Sequence, residues 1–423
     1  MTSSYLEVLR MKGALRVFVP ALLGRLSFAM VTLVLLFAVE QSTDSFAVAG
    51  AATGAFGLAN VIASPYRARF VDRRGQRFAL NSLAIAFATG LSAIAALTAQ
   101  PEPSAGLLIG LAAITGFFPP PLGASMRVLW GSLTPPGAPR TKAYSIDAVC
   151  EELPFTTGPL IAAAIVAAAS PPVGLLATAA VALAGTIGMT SSPLSRQHVA
   201  ATSAPQKNSR PLKQAGFLAV LIALLGVGVV LGTVEVVAPA IADSQNSIGL
   251  AGILLAAFAA GSAAGGLIYG QRTWRTSLAK RLLISGTIMT VLCAVLTIVG
   301  PVVVLGAGLA AVGFFLAPSL VTGYLLADDL TTAEVRTEAS SWINTAVNAG
   351  AAAAAVVVGF TVDALEPRFG FLLGAVIALI LLAAAAIPLI RKHPRYGWSP
   401  GSRRVQTGRD ANVSAITSTA RMK

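Results

Sequence analysis

PYRARFVDRRGQR, residues 65–77, holds five arginines, one aspartate and one glycine in thirteen positions. On either side the chain turns apolar, over 45–66 and 78–99. A run of about twenty apolar residues crosses a ~30 Å hydrocarbon layer as a helix, and a cluster of arginines does not follow it in. The stretch therefore reads as a tight turn at one membrane face, joining two spans by their ends.

The same alternation runs through all 423 residues, of which 55% are hydrophobic and only 11% charged. A soluble domain carries roughly a quarter charged residues, so this chain cannot clothe a water-facing surface. Twelve apolar spans are predicted, near 16–39, 45–66, 78–99, 104–127, 143–169, 173–190, 215–242, 248–271, 281–300, 302–327, 337–361 and 369–390. With both termini cytoplasmic, 28 of the 30 Lys and Arg residues fall in cytoplasmic segments; the exceptions are Arg25 and Arg368. That bias fixes orientation, with the chain expected in the cell inner (cytoplasmic) membrane. The net charge of +13 is thus a topology signal, and nucleic acid is excluded as a partner.

The first apolar run is full length and lacks a small-residue cleavage site, so it reads as a retained helix. Cys150 and Cys293 lie inside predicted spans, and His198 and His393 in loops, with no metal spacing. No cofactor is implied. Nothing resembles a nucleophile elbow or a phosphate-binding loop, which sets an enzyme aside.

The expected fold is all-α and integral to the membrane: a six-helix bundle over 1–190, a polar basic linker over 191–214, a second bundle over 215–390 and a disordered basic tail over 391–423. The halves repeat. RTKAYS (140–145) opens the fifth span and RTEASS (336–341) the eleventh, 196 residues later. Prolines 119–121 in the fourth span are echoed by Pro318 in the tenth. Two parallel halves around a central site form a known transporter architecture.

The opening stretch resembles the loop between the second and third helices of the major facilitator superfamily. Asp72, Arg73, Gly75 and Arg77 fit its pattern, while Ala68 replaces a usual glycine. Gly75 permits the turn. Asp72 accepts charge-assisted bonds either from Arg73 or Arg77 or from the N-terminal end of a neighbouring helix. The resemblance implies a cytoplasmic latch on the outward-facing state. FTTGPLIAA (155–163) resembles in part the helix-five motif of drug/proton antiporters: Gly158 and Pro159 match, Phe155 or Pro154 stands at the leading glycine, and alanines replace the trailing pair. That implies export, although a Gly-Pro pair also serves simple kinking and packing. The arginine of the family's fourth-helix proton-relay motif is missing from 104–118.

Charges inside hydrocarbon cost ~2.5–3.5 kcal/mol each, so those present need a reason. Arg25 lies at the same expected depth as Glu151 and Glu152, with Asp147 one turn below Glu151. One arginine cannot satisfy three carboxylates. A proton carrier and a fixed structural pair are both open readings. Asn344 and Asn348 share one face of the eleventh span with Thr337 and Ser341, as cavity lining or as interhelical glue. Glu235, in the outer third of the seventh span, is a second proton site or an outer gate. Asp328 and Asp329 read as solvated loop charges. The function expected is secondary transport of a small organic molecule by a monomer in the lipid bilayer. It works by alternating access as proton-coupled efflux; the alternative is a proton-coupled uptake permease for a sugar or organic acid.

Overall fold

A computed structural model describes residues 5–197, 210–245, 248–364 and 366–392. Every regular element among them is helical. In chain order these are α1 (Tyr5–Leu9), α2 (Ala14–Thr43), α3 (Phe46–Arg74), α4 (Gln76–Thr98), α5 (Ala105–Gly116), α6 (Leu122–Leu133), α7 (Ala138–Ala168) and α8 (Pro171–Ser191). After the short α9 (Pro193–Gln197) come α10 (Phe217–Ser244), α11 (Ile248–Gln271), α12 (Leu278–Val295), α13 (Val302–Gly313), α14 (Leu316–Leu330), α15 (Arg336–Ala364) and α16 (Phe369–Lys392). Most of the predicted linker and tail, 198–209 and 393–423, lies outside the described residues.

Ten segments are long and apolar enough to span a membrane by themselves. The other two crossings depart from a plain apolar rod: α5 and α6 form one interrupted span, and α7 carries Asp147, Glu151 and Glu152 within its length. The fold is thus the twelve-crossing bundle expected. Its packing repeats: α2 and α4 both lie on α8, as α10 and α12 lie on α16, and α3 lies on α5 as α11 lies on α13.

The fourth span breaks for a reason written in its sequence. Pro119, Pro120 and Pro121 have no N–H, so the carbonyls one turn earlier lose their helical partners. Arg67 repairs part of the loss, donating from Nη1 to the Gly116 carbonyl at 3.1 Å and from Nη2 to the Asn60 side chain at 2.7 Å. The tenth span breaks at Phe314–Phe315, upstream of Pro318. Each break redirects the helix that follows, α6 or α14, towards the seam between the halves.

Glycines set the closest helix approaches. A Cβ on Gly185 of α8 would stand 2.2 Å from the Gly24 backbone nitrogen of α2, and one on Gly228 of α10 would stand 2.0 Å from the Val347 carbonyl of α15. Lacking a water-driven force between helices, such contacts hold a bundle in lipid by dispersion. Arg74 and Arg77 around the turn after α3, Arg140 in the first turn of α7, Arg272 and Arg275 after α11 and Arg336 at the start of α15 mark one end of the bundle, called the basic end below.

Candidate functional site

Two charged centres lie where the halves meet. The deeper one gathers α2, α6, α7, α14 and α15. Arg25 stands eleven residues into α2, about 16 Å along it at 1.5 Å per residue. Its Nη2 donates to Asp147 Oδ1 at 2.8 Å. Arg127 of α6 donates from Nη2 to Glu151 Oε2 at 2.5 Å, and its Nε stands 3.3 Å from Asp147 Oδ2. The side chains of Arg127 and Asp147 are 1% exposed, that of Arg25 8%, whereas Glu151 is 25% exposed. Two cations and two anions therefore balance in a place largely closed to water, and Glu151 is the member with access to open space.

The cluster touches the second half through an aromatic ring. The Arg127 guanidinium lies 3.7 Å from the ring centroid of Tyr324 on α14, and the Tyr324 hydroxyl donates to Asn344 Oδ1 on α15. Gly123 completes the site from α6. A Cβ there would meet Glu151 Oε1 at 3.1 Å, Arg127 Nη1 at 3.5 Å and Arg25 Nε at 3.6 Å. Arg25 Nε and Nη1 and Arg127 Nη1 are buried without a hydrogen-bond acceptor.

The second centre closes the basic end. Asp72 Oδ2 accepts the Glu338 backbone N–H at 3.0 Å, within the first turn of α15. Arg69 grips the Glu338 carboxylate with two bonds, at 2.6 and 3.0 Å, and the hydroxyls of Ser64 and Ser341 lie 2.6 Å apart. Gly75, at φ 80°, turns the chain directly from α3 into α4. Beside this contact, Asp328 at the end of α14 accepts from the Tyr144 hydroxyl of α7. It also stands 3.6 Å from Arg140 of α7 and 3.7 Å from Arg336 of α15. Residues 196 apart in the repeat thus flank one carboxylate.

Several expectations are corrected here. Arg25 pairs with Asp147 rather than with a glutamate, because Arg127 already holds Glu151. Arg127, the last residue of the predicted span 104–127 and counted among the cytoplasmic charges, lies instead in the middle of α6, which runs on to Leu133 and carries it into the bundle. Its signal was present: a single charge in LGASMRVLWGSL is an intramembrane pattern once the helix is continued past Arg127. Asp328 is not a solvated loop charge, since α14 extends to Leu330 and leaves its side chain 9% exposed in the seam. Asp329 is exposed. Asp72 takes the helix end, while Arg73 and Arg77 point outward and are exposed. Asn348 and Glu235 are exposed and make none of the cluster's bonds. The Glu152 side chain lies outside the described residues. Gly158 lets α7 approach α2, where a Cβ would stand 2.6 Å from Ala29 Cβ; Pro159 follows it inside the helix.

The sequence profile described as Major Facilitator Superfamily matches residues 17–245 and again 216–420. The chain belongs to the Major Facilitator Superfamily. It is a membrane transporter and not an enzyme, and its repeat is the two-half repeat of the superfamily. No curated protein sequence matches it. Among solved structures it is similar to the human organic anion transporter MFSD10 (TETRAN), with TM-score 0.69 and 15% identity over 88% of this chain and 98% of that one. It is similar to a bacterial homologue of the iron transporter ferroportin in an outward-facing state, at TM-score 0.68 and 15% identity over 90% and 99%. The E. coli fucose:proton symporter FucP follows at TM-score 0.65 and 15% identity over 88% and 99%. Cargoes of these superfamily members differ widely, so what they share with this chain is the fold. No cluster of metal-ligating side chains occurs among the described residues.

Proposed function

We propose that this superfamily member is a proton-coupled secondary transporter that moves a small organic molecule across the cytoplasmic membrane by alternating access. One observation carries the reading: four ionisable side chains, Arg25, Arg127, Asp147 and Glu151, are buried together at the meeting of the halves, with Arg127 stacked on Tyr324 of the opposite half. Ionisable groups at that depth are expensive unless they serve a pathway or a relay. Glu151, with access to open space, is the proton carrier of this proposal, and Asp147 is the fixed counter-ion of both arginines.

Orientation follows from charge. With the basic end in the cytoplasm, the Asp72–Glu338, Arg69–Glu338 and Ser64–Ser341 contacts close the cytoplasmic side, and the protein stands in its outward-facing state. Opening inward requires these bonds to break while the far ends of the bundles approach one another. A monomer is the working unit of this proposal.

Export is the direction supported by the Gly158–Pro159 resemblance. A second reading, uptake of an organic acid, is favoured by the second buried arginine, Arg127. Purified protein in proteoliposomes loaded with a pH dye tests the proposal. A cargo gradient is expected to drive proton movement, in the opposite direction to cargo for antiport and in the same direction for co-transport. Cargo flux without proton movement in the wild type overturns the coupling.

A further inference from the structure

We propose that Tyr5, on the short helix α1, is a positioning residue of the transport cycle: it ties α11 of the second half to the first half and holds the basic end shut. This rests on the alternating-access reading above and adds a residue to its closed state.

At the basic end the halves meet along two repeat-related helix pairs, α3 with α15 and α11 with α7. Packing fixes which residues correspond. A Cβ on Gly116 of α5 would meet the Phe56 carbonyl oxygen of α3, and one on Gly313 of α13 would meet the Phe258 carbonyl oxygen of α11. Counting on from Phe56 and Phe258, Ser64 corresponds to Gly266, Arg69 to Gln271 and Asp72 to Trp274. In the RTEASS and RTKAYS stretches, Glu338 corresponds to Lys142 and Ser341 to Ser145. The α3–α15 pair is latched by Asp72, by the Arg69–Glu338 ion pair and by the Ser64–Ser341 contact. No carboxylate stands at the matching places of α11 and α7. Trp274 turns back on its own half, donating its indole N–H to the Tyr269 carbonyl at 3.0 Å. Asp328 ties α7 to α14 rather than to α11.

Tyr5 supplies a bond across this second pair. Its helix α1 packs on α7 and α2, both of the first half, and Val8 is fully buried there. Gly13, at φ 86°, turns the chain from α1 into α2. From that footing the Tyr5 hydroxyl donates to the Leu267 carbonyl of α11, in the second half. The hydroxyl sits in a notch left by Gly270. A Cβ there would overlap the Tyr5 hydroxyl oxygen and stand 2.7 Å from Ser145 Oγ of α7. Three helices, α1, α7 and α11, thus converge on one residue without a side chain. A phenol suits the task, because its ring packs against the apolar core while its hydroxyl reaches a single polar partner.

Opening the basic end draws α11 away from α7, and the Tyr5 hydroxyl then exchanges its acceptor for water. The net worth of such a bond corresponds to a factor of about two to ten in an equilibrium. The latch therefore biases the cycle without freezing it.

The test is the rate of disulfide formation between Ser64→Cys and Ser341→Cys in the full chain, in a background lacking Cys150 and Cys293. That pair lies on the α3–α15 seam, where the hydroxyls are 2.6 Å apart in the wild type, so it reports closure of the basic end and not the surroundings of Tyr5. Tyr5→Phe keeps the ring and removes the hydroxyl alone. Cross-linking is expected to slow by about two- to tenfold, with the unfolding temperature little changed. A tyrosine that only anchors α1 would leave the rate alone. An unchanged or faster rate in Tyr5→Phe, whatever its unfolding temperature, overturns the proposal. The alternating-access reading fails differently: if Ser64→Cys and Ser341→Cys do not cross-link with Tyr5 in place, the basic end is not closed and there is nothing for a latch to hold.

Discussion

The guanidinium of Arg127, on α6 of the first half, lies face-on over the ring of Tyr324, on α14 of the second, at 3.7 Å from its centroid. The same guanidinium binds Glu151, and the same phenol binds Asn344. A change of charge at Glu151 therefore reaches the opposite half through one stacked pair. Desolvated cation–π contacts are worth about 2 kcal/mol or more.

That relationship separates two Tyr324 variants. Tyr324→Phe keeps the ring and loses only the bond to Asn344; Tyr324→Leu loses both. If the ring links the halves, cargo-driven proton movement should fall by less than about tenfold in the first and by clearly more in the second, tenfold being about 1.4 kcal/mol. Equal losses in the two variants would assign the link to the hydroxyl instead.

The two acids of the cluster should respond differently to conversion into amides. Asp147 serves both arginines and is 1% exposed, so Asp147→Asn strands two buried cations. Removing one partner of a buried pair typically costs about 3–5 kcal/mol, and a marked drop in unfolding temperature is expected. Glu151 is 25% exposed and serves one arginine, so Glu151→Gln should stay folded while proton movement is lost. An unfolded Glu151→Gln beside a stable Asp147→Asn would reverse the assigned roles.

At the basic end, Asp72→Asn removes the charge that faces the α15 N-terminus, where an anion gains about 0.3–1 kcal/mol from the helix dipole and up to ~2 kcal/mol when partly buried. The closed state should lose severalfold in population. Arg73→Ala and Arg77→Ala, both exposed and outside the contact, should change little. The readout is the rate of disulfide formation between Ser64→Cys and Ser341→Cys, whose hydroxyls are 2.6 Å apart in the wild type, in a background lacking Cys150 and Cys293. An unchanged rate in Asp72→Asn removes Asp72 from the latch.

Span positions, the turn at Gly75 and the depth of Arg25 were legible because lipid demands long apolar runs and charges at their ends. The α6 cation was not. A reading that ends a span at its first charge stops the fourth span at Arg127 and counts it with the cytoplasmic residues, whereas α6 continues to Leu133. Asp328 was misread for the same reason at the end of α14. Which carboxylate meets which arginine was also beyond periodicity: Asp147 and Glu151 share a helical face, and only the position of a second arginine on another helix divides them.

The small residues make the last prediction, and it concerns packing alone. Gly228 and Gly54 both sit inside long helices, yet their surroundings differ. An alanine methyl at 228 would meet the Val347 carbonyl oxygen at 2.0 Å and its carbonyl carbon at 2.8 Å, both backbone atoms of α15 that no rotamer change can move. Around Gly54 nothing lies within 4 Å. Overpacking typically costs about 1–3 kcal/mol, and here whole helices must separate. Replacing an unobstructed helical glycine by alanine instead gains about 0.5–1 kcal/mol of backbone entropy. Gly228→Ala should therefore lower the unfolding temperature, and Gly54→Ala should leave it level or raise it. A Gly228→Ala protein as stable as wild type would mean that α10 and α15 do not approach this closely.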